Sequence, residues 1–234
     1  MYIVIDGIDG SGKSTVIKAW ADFFVNQNKK VFDLKNYWQK KHCHPNPGEL
    51  DDYDVVVSAE PTTVWAGASI RQEMILNGKN YTPTSMADAY ALDRMVLLKR
   101  LILPLRSKNK IILQDRSVST SICYQPLQTN SNLKMDDIAA IEGNTYALNN
   151  APEHLVIADV NANEAINRLS GRVEKQDLAI FEKKNFLEKA AHTFKSPDYQ
   201  KYFTERGTQI HLLDCNEKID IMKQRGIELL QSII

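Results

Sequence analysis

Short continuous apolar runs alternate with stretches of helical apolar spacing along most of this chain. An unbroken apolar run bounded by turn formers reads as a strand buried on both faces. Apolar residues three and four apart read as a helix packed against such strands. Strands are therefore expected at about 2–6, 53–58, 110–113, 155–160 and 209–213, with Lys30–Lys35 a candidate for one more. Helices are expected from behind the first strand to about Asn26, then at about Thr63–Leu76, Ser85–Arg106 with a bend at Pro104, Met135–Asn149, 162–170, 178–195 and Lys218–Ile233. The segment Asn36–Asp52, rich in Lys, His, Pro and Asp, fits neither pattern. Alternating strands and helices imply an α/β class with a mainly parallel sheet covered on both faces, here one domain over 1–234. Sheets of this kind hold ligands beyond the carboxyl ends of their strands. Polar clusters stand at those ends: Asp6-Gly7, Ala59-Glu60-Pro61-Thr62 and Asp115-Arg116.

Composition narrows the class of partner. Lys and Arg together number 29, as do Asp and Glu, so no global field recruits nucleic acid or an anionic membrane. Any recognition of phosphate must be local. Cys43, Cys123 and Cys215 are few, odd in number and far apart, which argues against a disulfide framework and for a reducing compartment. The N-terminus enters a strand without a basic leader, and no apolar run is long enough to span a bilayer. A cytoplasmic protein with no nucleic-acid or membrane partner is expected.

The chemistry begins directly behind the first strand, at Gly7-Ile8-Asp9-Gly10-Ser11-Gly12-Lys13-Ser14. This is the spacing of a phosphate-binding loop, in which glycines let backbone N–H groups turn inward on an anion. The helix that follows adds the positive end of its dipole, and Lys13 can reach the outer phosphates of a nucleoside triphosphate. Ser14, with Thr15 beside it, is placed to hold Mg2+. The cofactor-binding candidates are therefore Gly7, Asp9, Gly10, Ser11, Gly12, Lys13, Ser14 and Thr15, and the cofactors a nucleoside triphosphate and Mg2+.

A phosphate loop alone leaves kinase, switch, ATPase and ligase open. Further along, Glu60-Pro61, Tyr90-Ala91-Leu92-Asp93-Arg94, Asp115-Arg116 with Thr120-Ser121 and Tyr124-Gln125, and Arg168 with Arg172 before Phe181-Glu182 follow in order. As an ordered set they resemble the thymidylate kinase family. That resemblance implies a P-loop NTPase three-layer α/β/α sandwich with a mainly parallel five-stranded sheet, phosphorylation of dTMP by MgATP, and a homodimer. It further implies that Arg116 binds the acceptor phosphate and that Asp115 belongs to the magnesium shell. Asp9 would lie near acceptor phosphate, sugar hydroxyl and metal, and Glu60 near acceptor phosphate and metal. Tyr90 and Arg94, four residues apart on one helix face, would pack against and contact the base. Ser121 would meet the base, Tyr124 would crowd the sugar, and Thr120 would line the same site. The stretch at about 168–178 resembles the family's mobile lid. Because the phosphate loop carries no arginine, Arg172 and Arg168 would deliver the charge that offsets the moving phosphoryl group.

The sequence also departs from that pattern. Ala59 stands where the family usually carries an arginine, Thr62-Thr63 where it carries two glycines, and Ser117 where an aromatic or histidine is common. Arg71 replaces the missing arginine only if its side chain turns back toward Glu60-Pro61. The 36–52 segment is longer than the family's usual connection. Its His42-Cys43-His44 makes a poor tetrahedral metal site, and the segment reads as an elaboration near the acceptor entrance or a dimer edge. A kinase for another deoxynucleotide or for a deoxynucleoside, and a non-catalytic nucleotide-binding regulator, remain open alternatives.

Overall fold

The structure, a computed structural model, describes residues 1–76, 78–128, 130–170 and 184–234. At its centre β1 (Tyr2–Asp6) is buried along its whole length, which is why its sequence shows no alternation. With β2 (Val31–Asp33), β3 (Val55–Ala59), β4 (Ile111–Asp115), β5 (His154–Asp159) and β6 (Gln209–Asp214) it forms one parallel sheet in the order β2-β3-β4-β1-β5-β6. The sheet thus has six strands rather than five. Its smallest member, β2, is half-buried and pairs Val31 with Val55 and Asp33 with Val57 at one edge. Asp115 lies opposite both Ile5 and Ala59, so the ends of β1, β3 and β4 open onto one place.

Twelve α-helices flank the sheet among the described residues: α1 (Lys13–Asn26), α2 (Leu34–Lys41), α3 (Trp65–Ser69), α4 (Pro83–Leu97), α5 (Leu103–Ser107), α6 (Val118–Tyr124), α7 (Met135–Ala140), α8 (Glu142–Asn149), α9 (Ala162–Ser170), α10 (Lys184–Lys195), α11 (Pro197–Thr204) and α12 (Ile219–Ile233). Several expected helices are divided. A π-helical turn, Leu98–Ile102, separates α4 from α5 just ahead of Pro104, whose missing N–H frees a carbonyl one turn back. Another, Ile70–Met74, follows α3. The expected helix over 135–149 breaks at Ile141, where ψ is 132°.

The 36–52 segment is folded rather than irregular. Asp33 caps α2, accepting from the backbone N–H groups of Lys35 at 2.8 Å and Asn36 at 3.3 Å. Trp38 is buried, and its Nε1–H donates to His44 Nδ1 at 3.1 Å. A short 3₁₀ turn, Pro47–Leu50, then brings Leu50 into the core.

Candidate active site

Three glycines, Gly7, Gly10 and Gly12, give the phosphate loop its curl, all with positive φ. Gly7 and Gly12 have φ of +137° and +94°, and a Cβ on either would come within 2.6 Å of Ala158 O or Met222 Sδ respectively. Among the described residues no side chain caps the start of α1, a helix end of the kind that binds anions through its first N–H groups. Lys13 Nζ folds back onto the carbonyls of Gly7 at 2.9 Å and Ile8 at 2.8 Å. Burial, followed by repulsion from Arg116, draws its pKa down to about 8, against the pull of Asp9 and Asp115. Ser11 is buried, and Thr15 sits half-buried on the first turn of α1. Arg168 is held beside the loop by Glu164, at 2.8 Å, and the carbonyl of Glu217, at 3.1 Å. Arg172, Phe181, Glu182 and the expected lid beyond Ser170 lie outside the described residues.

Ser14 Oγ donates to Asp115 Oδ2 at 2.9 Å, while Asp115 Oδ1 is buried with no hydrogen-bond partner among the described residues. A carboxylate oxygen with nothing to accept from, next to a hydroxyl, is a donor set suited to a hard cation such as Mg2+. Burial alone would raise the pKa of Asp115. Lys13, Lys35 and Arg116 outweigh it, so the group stays ionised below the usual carboxylate range.

On the acceptor side, one cleft of about 430 Å³ is lined by Asp9, Glu60, Arg71, Tyr90, Arg94, Asp115, Arg116, Thr120, Ser121 and Tyr124 as well as by the loop. Arg116 adopts φ +68° as the chain leaves β4, and its Nη2 pairs with the Asp9 carboxylate. Against the rise that burial would cause, Arg116 and Lys13 hold Asp9 below its ordinary pKa. The Asp9 N–H donates to the Tyr124 hydroxyl at 3.1 Å, and the Arg116 guanidinium lies over the Tyr124 ring, 5.8 Å from its centroid. The Thr120 hydroxyl is turned instead to Asp6, at 2.6 Å. Arg71 does turn back. It donates to Pro61 O at 2.6 and 2.9 Å and to Thr62 O at 3.1 Å, beside a cis Glu60-Pro61 bond.

Arg94 is only 2% exposed. Its Nε donates to Glu60 Oε2 at 2.8 Å, Nη1 to Asn144 Oδ1, and Nη2 to Ser121 Oγ at 2.9 Å and Ser117 O at 3.2 Å. Glu60 also accepts from Gln114 Nε2 at 3.0 Å, so both its oxygens face this network rather than Asp115. Burial lifts the Glu60 carboxyl to about 7 despite Arg94. Burial likewise raises the Tyr90 phenol to about 12, so that group is neutral.

Four residues at or behind the cleft had no role in the sequence reading. Lys35 and Trp38 line it from α2. Asn144 holds Arg94 from α8, and no local signal could have announced that contact. Gln125 lines the cleft with both amide atoms buried and without a partner among the described residues. It stood in the quoted motif, but only the structure shows its hydrogen-bonding capacity unused.

Comparison with known proteins decides the kinship. The sequence model of thymidylate kinases matches residues 49–225, most of the chain. The chain belongs to the thymidylate kinase family. Similar proteins include a probable thymidylate kinase of Thermococcus kodakarensis, 25% identical over 247 residues covering 100% of this chain and 98% of that protein. Another of that description, from Methanococcus aeolicus, is 28% identical over 98% of this chain and 95% of its own length. A thymidylate kinase of Finegoldia magna is 26% identical over 99% and 98%. A second family model, a viral superfamily 1 RNA helicase core domain, matches residues 3–62, the part of the kinase that holds the phosphate loop. The kinase is thus an ATP-dependent phosphotransferase.

Proposed function

We propose that this enzyme transfers the terminal phosphoryl group of ATP to dTMP, giving ADP and dTDP. An oxygen of the acceptor phosphate attacks the γ-phosphorus, and the bond from that phosphorus to the β–γ bridging oxygen breaks. The observation that carries this reading is the continuity of the cleft. The phosphate loop lines the same cleft as Tyr90, Arg94 and Gln125. A pyrimidine with a ring N–H and flanking carbonyls would satisfy the unpaired donor and acceptor of Gln125, with Tyr90 packed beside the base. Arg116 would bind the acceptor phosphate. In doing so it exchanges a carboxylate partner, Asp9, for a phosphate, so little desolvation is left to overcome. Tyr124, fixed by the Asp9 N–H, would stand against the sugar.

Two anions must be held in line while their repulsion is offset, and Lys13, Arg116 and Arg71 converge for that task. Magnesium, when bound, neutralises charge on the donor phosphates. Ser14 and Asp115 would hold it, with Asp9 near by. Arg168 would add cationic charge from the side of α9, and Arg172, from the sequence, would supplement it.

The test is steady-state ADP formation from MgATP with dTMP, dUMP, dCMP, dGMP, AMP and thymidine as acceptors. The expected outcome is the highest kcat/KM with dTMP. A higher value for another monophosphate would replace the substrate, and a higher value for thymidine would replace the acceptor class.

A further inference from the structure

The cations of the cleft are unequally committed. Arg94 has four protein acceptors, Arg116 is paired with Asp9, and Lys13 is anchored on two carbonyls. Arg71 spends Nε and Nη2 on the Glu60-Pro61-Thr62 turn. Lys35 differs. Among the described residues its one ion pair is with Asp115 Oδ2 at 3.5 Å, beyond the range of a good charged hydrogen bond, and its side chain is 36% exposed.

The base of that side chain is nonetheless fixed. The Lys35 N–H is held by the Asp33 cap, and its neighbours Leu34 and Trp38 are buried. The whole 34–50 segment is tied down by the Trp38–His44 hydrogen bond and by Leu50. A rigid stem therefore carries a mobile ammonium into the cleft.

Topology says which ligand it meets. The sheet runs β2-β3-β4-β1, so the phosphate loop after β1 and Lys35 after β2 reach Asp115, at the end of β4, from opposite sides. Between them β3 ends in Ala59, whose methyl brings no charge, and in Glu60, which is committed to Arg94 and Gln114. The wall on the β2–β3 side thus draws its positive charge from Lys35 and Arg71.

We propose that Lys35 is a catalytic residue whose ammonium moves from Asp115 onto the phosphate of the acceptor nucleotide, offsetting its charge during transfer. This rests on the acceptor being a nucleoside monophosphate. It also gives the 34–50 segment a task, that of delivering a cation to a wall whose own strand end has none.

The test compares dTMP with thymidine, identical but for the phosphate, by calorimetry on the full chain without ATP or metal. Lys35→Met keeps the apolar stem and removes the charge at a partly exposed site. It should weaken dTMP binding roughly ten- to a hundredfold, the effect of losing one charged hydrogen bond, and leave thymidine binding unchanged. Lys35→Arg should recover most of the loss. Turnover at saturating dTMP should fall in Lys35→Met and be restored by the same replacement. If wild type prefers dTMP and Lys35→Met keeps the full preference, or loses both ligands equally, the role of Lys35 is overturned alone. If wild type binds thymidine as tightly as dTMP, the acceptor reading fails and takes Lys35 with it.

Discussion

Gln125 and Arg94 sit in one wall and solve the burial of polar groups in opposite ways. Arg94 places four of its five donors on partners from three sides, and its partner Asn144 is itself fixed, its Nδ2 donating to Ile138 O at 2.7 Å. Truncating Arg94 would strand the Glu60 carboxylate, so any loss of activity would be entangled with a stability loss of about 3–5 kcal/mol. Gln125 is the cleaner probe because its amide is buried and finds no partner among the described residues. Leaving such a group without partners costs about 1–3 kcal/mol, which a bound base would recover. Gln125→Leu should therefore stabilise the empty protein by about 1 kcal/mol while lowering kcat/KM for dTMP at least about tenfold. Chemical denaturation and kinetics on the same preparation check both halves. A destabilised variant would mean that the amide has a partner in the empty protein.

Among the elements, the strands and their order of polar ends were legible because a strand buried on both faces writes an unbroken apolar run. The phosphate loop was legible because its glycines and Lys13 act locally. Helix α11 was equally local and was overlooked: Ser196 caps it, Pro197 opens it, and Tyr199, Tyr202 and Phe203 form its buried face. What could not be read was contact between distant helices. α8 approaches α4 closely because residue 143 is glycine, and a Cβ there would collide with the carbonyl of Ala91. That approach brings the next residue, Asn144, to Arg94, three positions beyond Ala91. The break at Ile141 and the fold of 34–50 around Trp38 likewise depend on tertiary packing. Gly143→Ala should force α8 outward, costing about 1–3 kcal/mol. It should also raise the turnover of dCMP relative to dTMP, because Arg94 loses its lateral support. Thermal denaturation and the ratio of kcat/KM values measure the two effects; a variant with unchanged stability would show that α8 yields without strain.

At the scale of the whole molecule, two buried groups in different regions oppose each other through global unfolding. His44, packed edge-on between Trp38 and Trp65, has its pKa drawn from 6.5 to about 4 by burial and then by Arg100. The folded state binds that proton later than the unfolded chain, so stability is lost as pH falls below 6.5 toward 4. Glu60 has the reverse sign. Its pKa is raised by burial from 4.5 to about 7, so its contribution is complete below 4.5 and is lost as pH rises through 7. Each linkage amounts to about 3 kcal/mol at full extent, over nearly the same interval. Their offset predicts a shallow stability profile between pH 4.5 and 7 in the wild type, tilted slightly toward loss at low pH by His154 and His211, whose pKa values burial also lowers. Glu60→Gln removes one of the two opposing terms. At low pH, where the Glu60 carboxyl is neutral and resembles the amide, the two proteins should be close in stability, and the informative quantity is slope. The variant's denaturation midpoint should drop steeply from pH 6.5 toward 4, where that of the wild type changes little. Parallel profiles would show that Glu60 remains ionised beside Arg94 throughout that range. The ion pair would then hold Arg94 at any pH at which this kinase works.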